Sequence, residues 1–316
     1  MKILVTGGAG FIGSHLVRML IQHGHEHVVV VDALTYAGFL ENISDCIQDT
    51  RCSFIHGSVT DEGLMLQVLT DHNIEAVFHL AAETHVDRSI TSAQPFVESN
   101  IVGTFAVVEA IRKTGRHIRL IHVSTDEVYG SLSVDAAPFT EQSPLCPSSP
   151  YAASKASADM IVQSFVSTYG LDAVITRCCN NYGPRQYPEK LIPLVTKRAI
   201  EGKLLPVYGK GMQRREWIYV EDHCSALIAV LQYGKTGETY NIGTGHEEAN
   251  ISVVNRIVQL TGANKEQITF VTDRPAHDYR YALDSRKITI HCGWKPSTDF
   301  DNGLQTTVLW YQQQST

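Results

Sequence analysis

Tyr151 and Lys155 stand four residues apart in the run Ser149-Pro150-Tyr151-Ala152-Ala153-Ser154-Lys155. One helical turn separates them, so a phenol and an ammonium share a helix face. Ser149 is a good N-cap and Pro150 a good first helical residue, so a helix starts here and holds the pair in register. The adjacent positive charge favours phenolate, drawing a tyrosine down from its reference pKa of about 10 toward the range where it accepts a proton. The pair is a candidate base for oxidising an alcohol. The same spacing also fits a packed ring beside a solvated charge, so the rest of the chain has to decide between the two.

The elements that would position such a pair are readable upstream. Short apolar runs at 3–6, 28–32, 53–56, 76–80, 120–124 and 173–177 alternate with longer helical patterns. Continuous rather than alternating apolar strands, separated by helices, indicate a parallel sheet covered on both faces. The expected fold is α/β, a doubly wound parallel sheet (Rossmann) with a smaller C-terminal substrate-binding domain. The texture changes after Asn180, where Pro184, Pro188, Pro193 and Pro206 and glycines 202, 209 and 211 break the rhythm. We therefore expect a cofactor domain over 1–179 and a mainly substrate-side domain over 180–316. A strand and helix over 217–231 suggest that a segment near 214–240 returns to the main sheet.

Gly7-Gly8-Ala9-Gly10-Phe11-Ile12-Gly13 follows the first strand and precedes a helix expected over 14–23. Glycines 7, 10 and 13 allow a tight turn, close approach of a pyrophosphate and close helix packing, with the helix N-terminus facing the phosphates. The second strand ends in Asp32, where a carboxylate meets the ribose hydroxyls of an adenosine. Residues 33–38 hold no Arg or Lys for a 2′-phosphate. The cofactor expected is NAD rather than NADP.

The glycine spacing, the Tyr-x-x-x-Lys pair and Asn180-Asn181-Tyr182-Gly183-Pro184 together resemble the extended short-chain dehydrogenase/reductase family, nucleotide-sugar branch. Within it the chain looks like the dTDP-glucose 4,6-dehydratases, over nearly its whole length. That resemblance implies cofactor contacts at Phe11, Ile12, Ser58, Val59, Leu80, Ala81, Ala82, Asn100 and Ser124, besides Tyr151 and Lys155. Ser58 is a departure, since the family usually has an aspartate there, near the adenine.

Ser124-Thr125-Asp126-Glu127-Val128-Tyr129-Gly130 carries the resemblance to the dehydratases, because related epimerases do not need both carboxyls. The implied chemistry begins with Tyr151 taking the C4 hydroxyl proton while NAD receives the C4 hydride, which acidifies the C5 hydrogen. Glu127 is then the base at C5 and Asp126 the acid for the departing C6 hydroxyl, roles that need different protonation states. The hydride returns to C6 and a proton to C5, giving a 4-keto-6-deoxy sugar with NAD regenerated. Thr125 would hydrogen-bond the C4 oxygen, and Lys155 would hold the nicotinamide ribose. Read without the resemblance, Asp126 and Glu127 also fit acids capping a solvent-facing loop.

The implied substrate side comprises Thr84, His85, Asp87, Arg88, Asn180, Lys190, Leu191, Pro206, Tyr208, Arg215, Asn250, Arg274 and His277. Arg215, Arg274 and Lys190 would supply fork donors and a point charge for a diphosphate. His23, His25 and His27 alternate in the manner of metal ligands on a strand; they also fit a turn after a helix capped at Gly24. No catalytic metal is expected.

The composition narrows the partners. The 33 acidic and 26 basic residues give −7, which argues against non-specific nucleic-acid binding. No stretch reaches the roughly 20 apolar residues of a membrane span. Seven cysteines in an odd, unpatterned set and no signal peptide point to a cytoplasmic protein with reduced thiols. A homodimer is implied by the family.

Overall fold

The computed structural model describes residues 1–314. Seven parallel strands form the main sheet: β1 (Lys2–Thr6), β2 (His27–Asp32), β3 (Cys52–His56), β4 (Ala76–His79), β5 (Arg119–Thr125), β6 (Ala173–Cys178) and, from much later in the chain, β10 (Thr239–Ile242). Their spatial order is β10-β6-β5-β4-β1-β2-β3. The order reverses between β1 and β4, so the loops leaving those strands diverge and open a crevice at their C-terminal ends.

Residues 28–32 of β2 are all buried. A run of four valines suits a strand packed on both faces. One face is covered by α1 (Phe11–Gln22) and the other by α2 (Glu62–Asp71), α5 (Gly103–Lys113) and α6 (Pro150–Tyr169). Two short helices, α3 (Val86–Thr91) and α4 (Gln94–Phe96), precede α5, joined to it by a π-helical segment, Val97–Val102.

The chain after β6 builds a second core and also returns to the first. The helices α7 (Leu191–Ile200), α9 (Asn250–Thr261) and α11 (Phe300–Gln314) pack around β7 (Asn180–Tyr182), β8 (Leu205–Tyr208), β9 (Arg214–Tyr219), β11 (Glu247–Ala249) and β12 (Ile268–Val271). Helices α8 (Val220–Tyr233) and α10 (Arg286–Cys292) instead cover the α1 face of the main sheet. The expected strand at 217 thus joins β7 and β11 in a separate three-stranded sheet, and β10 is the strand that rejoins the main one. Glu216 fastens this crossing. Its fully buried carboxylate accepts hydrogen bonds from the backbone N–H groups of Thr244, Gly245 and Leu283 at 2.5, 2.7 and 2.7 Å.

Candidate active site

Helix α1 begins at Phe11, three residues before the expected Ser14, with Gly10 as an N-cap that offers no side-chain acceptor. The first-turn amides are therefore left for something else to satisfy. Gly13 is needed for packing: a Cβ there would lie 2.2 Å from the Gly7 carbonyl oxygen. At Gly10 an added Cβ would meet only that same oxygen, at 3.3 Å, so its other side faces the crevice. Asp32 accepts hydrogen bonds from the amides of Ala9 and Leu34 at 2.9 and 2.8 Å. Burial raises its carboxyl above the usual range, and those amides oppose the rise. This bare helix start, glycine cradle and pinned acid fit a dinucleotide.

A cavity of about 720 Å³ runs from this loop to the second core. Gly7, Gly10, Phe11, Ile12, Gly13, Asp32, Ser58, Val59, Leu80, Ala81, Ala82 and Ser124 line one part of it. Ser58 spends its hydroxyl locally, 2.8 Å from that of Thr60. Asn100 is the exception among the expected cofactor contacts, because it does not reach the cavity. It is buried, accepts a hydrogen bond from the Glu83 amide at 2.8 Å, and donates to the Glu83 carbonyl and the Ser154 hydroxyl at 3.0 and 2.8 Å. With its amide used up, it braces the 80–84 loop from behind.

Thr125, Asp126, Glu127, Tyr151 and Lys155 line the middle of the same cavity. Strand β5 delivers Thr125, whose hydroxyl accepts from the Glu127 amide at 3.3 Å and starts a 3-10 turn, Asp126–Tyr129. Gly130 ends that turn at φ +83°, with its α-carbon side so close to the Cys146 carbonyl that a Cβ would sit 2.3 Å from it. The acids are thus held on a short, capped turn rather than a free loop. Helix α6 starts as expected, Ser149 Oγ accepting from the Ala152 amide at 3.1 Å with Pro150 first.

The two acids differ. Asp126 is 1% exposed, and one of its oxygens has no hydrogen-bond partner. Burial, reinforced by the charges of Glu127 and Glu216, pushes its carboxyl well above the usual range, which favours its protonated form. Glu127 is partly open to the cavity. Burial raises it too, but the cations Lys190, Arg274 and Arg215 oppose the rise. One protonated and one ionisable carboxyl side by side can donate and accept in the same step.

The expected lowering of Tyr151 by Lys155 does not occur. Burial, followed by the negative charge of Glu127, pushes the phenol well above its ordinary value. Lys155 directs its ammonium at the Val123 carbonyl, 2.7 Å away, and burial lowers its own pKa to about 8. A positively charged nicotinamide would add the cation that the phenol needs to ionise.

Thr84, His85, Asn180, Lys190, Leu191, Pro206, Tyr208, Arg215, Asn250, Arg274 and His277 line the far end. Lys190 donates to the Thr84 carbonyl at 2.7 Å. Arg274 lies 3.4 Å from Asp87, which also accepts from the Tyr208 hydroxyl at 2.9 Å. Arg215 donates to the carbonyls of Arg214 and Asp278 at 2.8 and 2.9 Å and lies over the Tyr281 ring. Arg88 stacks on Tyr36 instead, 3.7 Å from the ring centre. The sequence reading missed Glu189, which accepts from the Tyr36 hydroxyl at 2.9 Å and faces His85 at 3.8 Å; its only signal was its place beside Lys190. Among the described residues no group of His, Cys, Asp and Glu could hold a metal. His27 pairs with the Ser53 hydroxyl at 2.9 Å.

The sequence matches the family described as GDP-mannose 4,6 dehydratase over residues 4–307. It is 50% identical to a dTDP-glucose 4,6-dehydratase of Shigella flexneri, covering 98% of this chain and 92% of that one. It is 48% identical to the enzyme of that name from Neisseria meningitidis, covering 100% and 94%. Among solved structures, the Streptomyces venezuelae dTDP-glucose 4,6-dehydratase DesIV, with NAD and TYD bound, superposes with a TM-score of 0.96 at 46% identity, covering 99% and 97%. A Thermotoga maritima UDP-glucose 4-epimerase with UDP-glucose follows at 0.93 and 33%, covering 100% of both chains.

Proposed function

This chain belongs to the GDP-mannose 4,6-dehydratase family, and from that membership we propose that it is a hydro-lyase performing the NAD-dependent dehydration of dTDP-glucose to the 4-keto-6-deoxy sugar. The observation that carries the reading is the pair of acids, one protonated and one ionisable, sharing a cavity with Tyr151 and Lys155. Epimerases fold alike, as the Thermotoga maritima structure illustrates, but inverting one carbon requires no acid at C6.

NAD, when bound, supplies the acceptor for the C4 hydrogen and later the donor to C6. The glycine loop and Asp32 are the groups suited to hold it. Tyr151 removes the proton of the C4 hydroxyl, and Thr125 hydrogen-bonds that oxygen. The ketone formed makes the C5 hydrogen acidic, so Glu127 removes it while Asp126 gives its proton to the C6 hydroxyl, which leaves as water; a solvent-exchanged proton then returns to C5 as C6 is reduced. Lys190, Arg215 and Arg274 are the cations placed for the diphosphate.

A second copy of the chain completes the proposal. The α5 and α6 face exposes Phe105, Met160 and Tyr169, with Phe105 and Tyr169 both packed edge-on to Phe165. A contiguous aromatic patch of this kind suits a symmetric dimer. No helix among the described residues is long and apolar enough to cross a membrane, and we place the protein in the cytoplasm.

The test is to incubate purified protein with dTDP-glucose, UDP-glucose and UDP-N-acetylglucosamine in deuterated water. The expected product of the first has lost one water and carries one solvent deuteron at C5, without net consumption of NAD. An isomer of unchanged mass would replace this reading with epimerisation. Carbon dioxide from a glucuronate substrate would indicate decarboxylation, and the absence of turnover would indicate a dinucleotide-sensing protein.

A further inference from the structure

The 3-10 turn that carries both acids has a front and a back. Asp126 and Glu127 line the cavity, whereas the next two residues, Val128 and Tyr129, are 0% and 2% exposed and pack into the core on the α1 side of the sheet. A single 3-10 turn has too few hydrogen bonds of its own to fix where it stands. Its position is set by what the two core-facing side chains meet.

Val128 makes apolar contacts, which carry no direction. Tyr129 makes directed ones. Its ring stacks on Phe139 with centroids 4.9 Å apart, and its hydroxyl accepts from Arg177 Nη1 at 2.9 Å and donates to Asn241 Oδ1 at 2.8 Å. Both partners are buried and tied down in turn. Arg177 Nε donates to Asp159 at 2.9 Å, Asn241 Nδ2 donates to the Phe139 carbonyl at 3.0 Å, and the Asn241 backbone N–H donates to Glu141 at 2.9 Å. Arg177 on β6 and Asn241 on β10 are paired across the two strands. The back of the turn is thus clipped to a rigid rung of the main sheet.

The oxidising groups are held by other means. Thr125 lies on β5 in register with Cys178 of β6, and Tyr151 and Lys155 stand on α6, with the ammonium on the Val123 carbonyl. The Tyr129 hydroxyl bonds to none of them.

We propose that Tyr129 is a positioning residue for the elimination step: its hydroxyl, held between Arg177 and Asn241, sets where Asp126 and Glu127 stand against the sugar. The assignment rests on the roles given above to those two acids. Tyr129 acts through them, since it does not itself line the cavity.

The test separates the two chemical steps in the full chain. Tyr129→Phe keeps the stacked ring and removes both hydrogen bonds of the hydroxyl. In single turnover with dTDP-glucose, reduction of bound NAD should stay within about twofold of the unaltered rate while product formation falls at least roughly tenfold, because misplacing a reacting group is costly. Reduced nicotinamide should then build up, as its absorbance would record. Without substrate, amide hydrogen exchange in peptides spanning 126–130 should quicken, and in peptides spanning 150–160 it should not change. Should Tyr129→Phe fold poorly, Asn241→Ala removes the acceptor from the other side and carries the same expectations. An equal loss in both steps, an unaltered rate of product formation, or unaltered exchange in the turn would each overturn the proposal. If the unaltered protein performs no dehydration while the turn loosens as expected, the functional reading fails and the anchoring of the turn by Tyr129 stands.

Discussion

Asp126 and Glu127 are neighbours in the chain and opposites in the site. As a base, Glu127 works only when ionised. Burial raises its carboxyl, so elimination should fail as the pH drops through a value above the ordinary carboxylate range. Lys190→Met removes an opposing cation, raises Glu127 further and moves that acid limb to higher pH, as single-turnover rates across pH would record. Glu127→Gln should still reduce bound NAD on mixing with substrate, yet form product at least roughly 10² slower; normal product formation would remove Glu127 from the base role. These residues were legible because each motif is contiguous and its chemistry depends on spacing along one strand end or one helical turn. Asn100 was not: its place behind the 80–84 loop comes from the π-helical segment and from Ser154, which lies on another helix. Tyr151 was misjudged electrostatically because a spacing argument counts its helical neighbour but not the burial of the ring or the charge of Glu127.

The glycine loop shows how an element divides its work. Gly13→Ala drives a Cβ into the Gly7 carbonyl and against Gly8 Cα at 2.7 Å, contacts between backbone atoms that no rotamer change relieves. Overpacking of this kind costs about 1–3 kcal/mol. Gly10→Ala has only the 3.3 Å contact to absorb, and its methyl projects toward the cofactor crevice. We expect Gly13→Ala to lower Tm and lose NAD on desalting, and Gly10→Ala to keep Tm while retaining less NAD. Equal Tm losses would mean that the loop is tight everywhere. The strand runs were readable because parallel strands buried on both faces are apolar throughout. The start of α1 was misplaced by three residues because its N-cap is a glycine, which carries no side-chain signature.

At the scale of the molecule, the aromatic patch on α5 and α6 predicts the assembly. Phe105→Glu puts a charge at the centre of the proposed contact, and sedimentation velocity should find a monomer where the unaltered chain is a dimer; an unchanged species would locate the contact elsewhere. The division of labour between the two cores could only be partly read, because β10, α8 and α10 reach the main sheet through long-range pairing. A break in texture near 180 is visible in sequence, while a later return shows only where a strand and helix recur. This interleaving has a consequence for how the protein can be taken apart. A fragment ending at residue 179 would carry the whole glycine loop and both catalytic motifs, yet one side of its sheet would keep α1 and lose α8 and α10, and β6 would become a raw edge. The chain is therefore not a cofactor module with a detachable specificity cassette. Grafting a new sugar preference means redesigning loops in place, because exchanging the C-terminal half would also exchange part of the floor on which the dinucleotide rests.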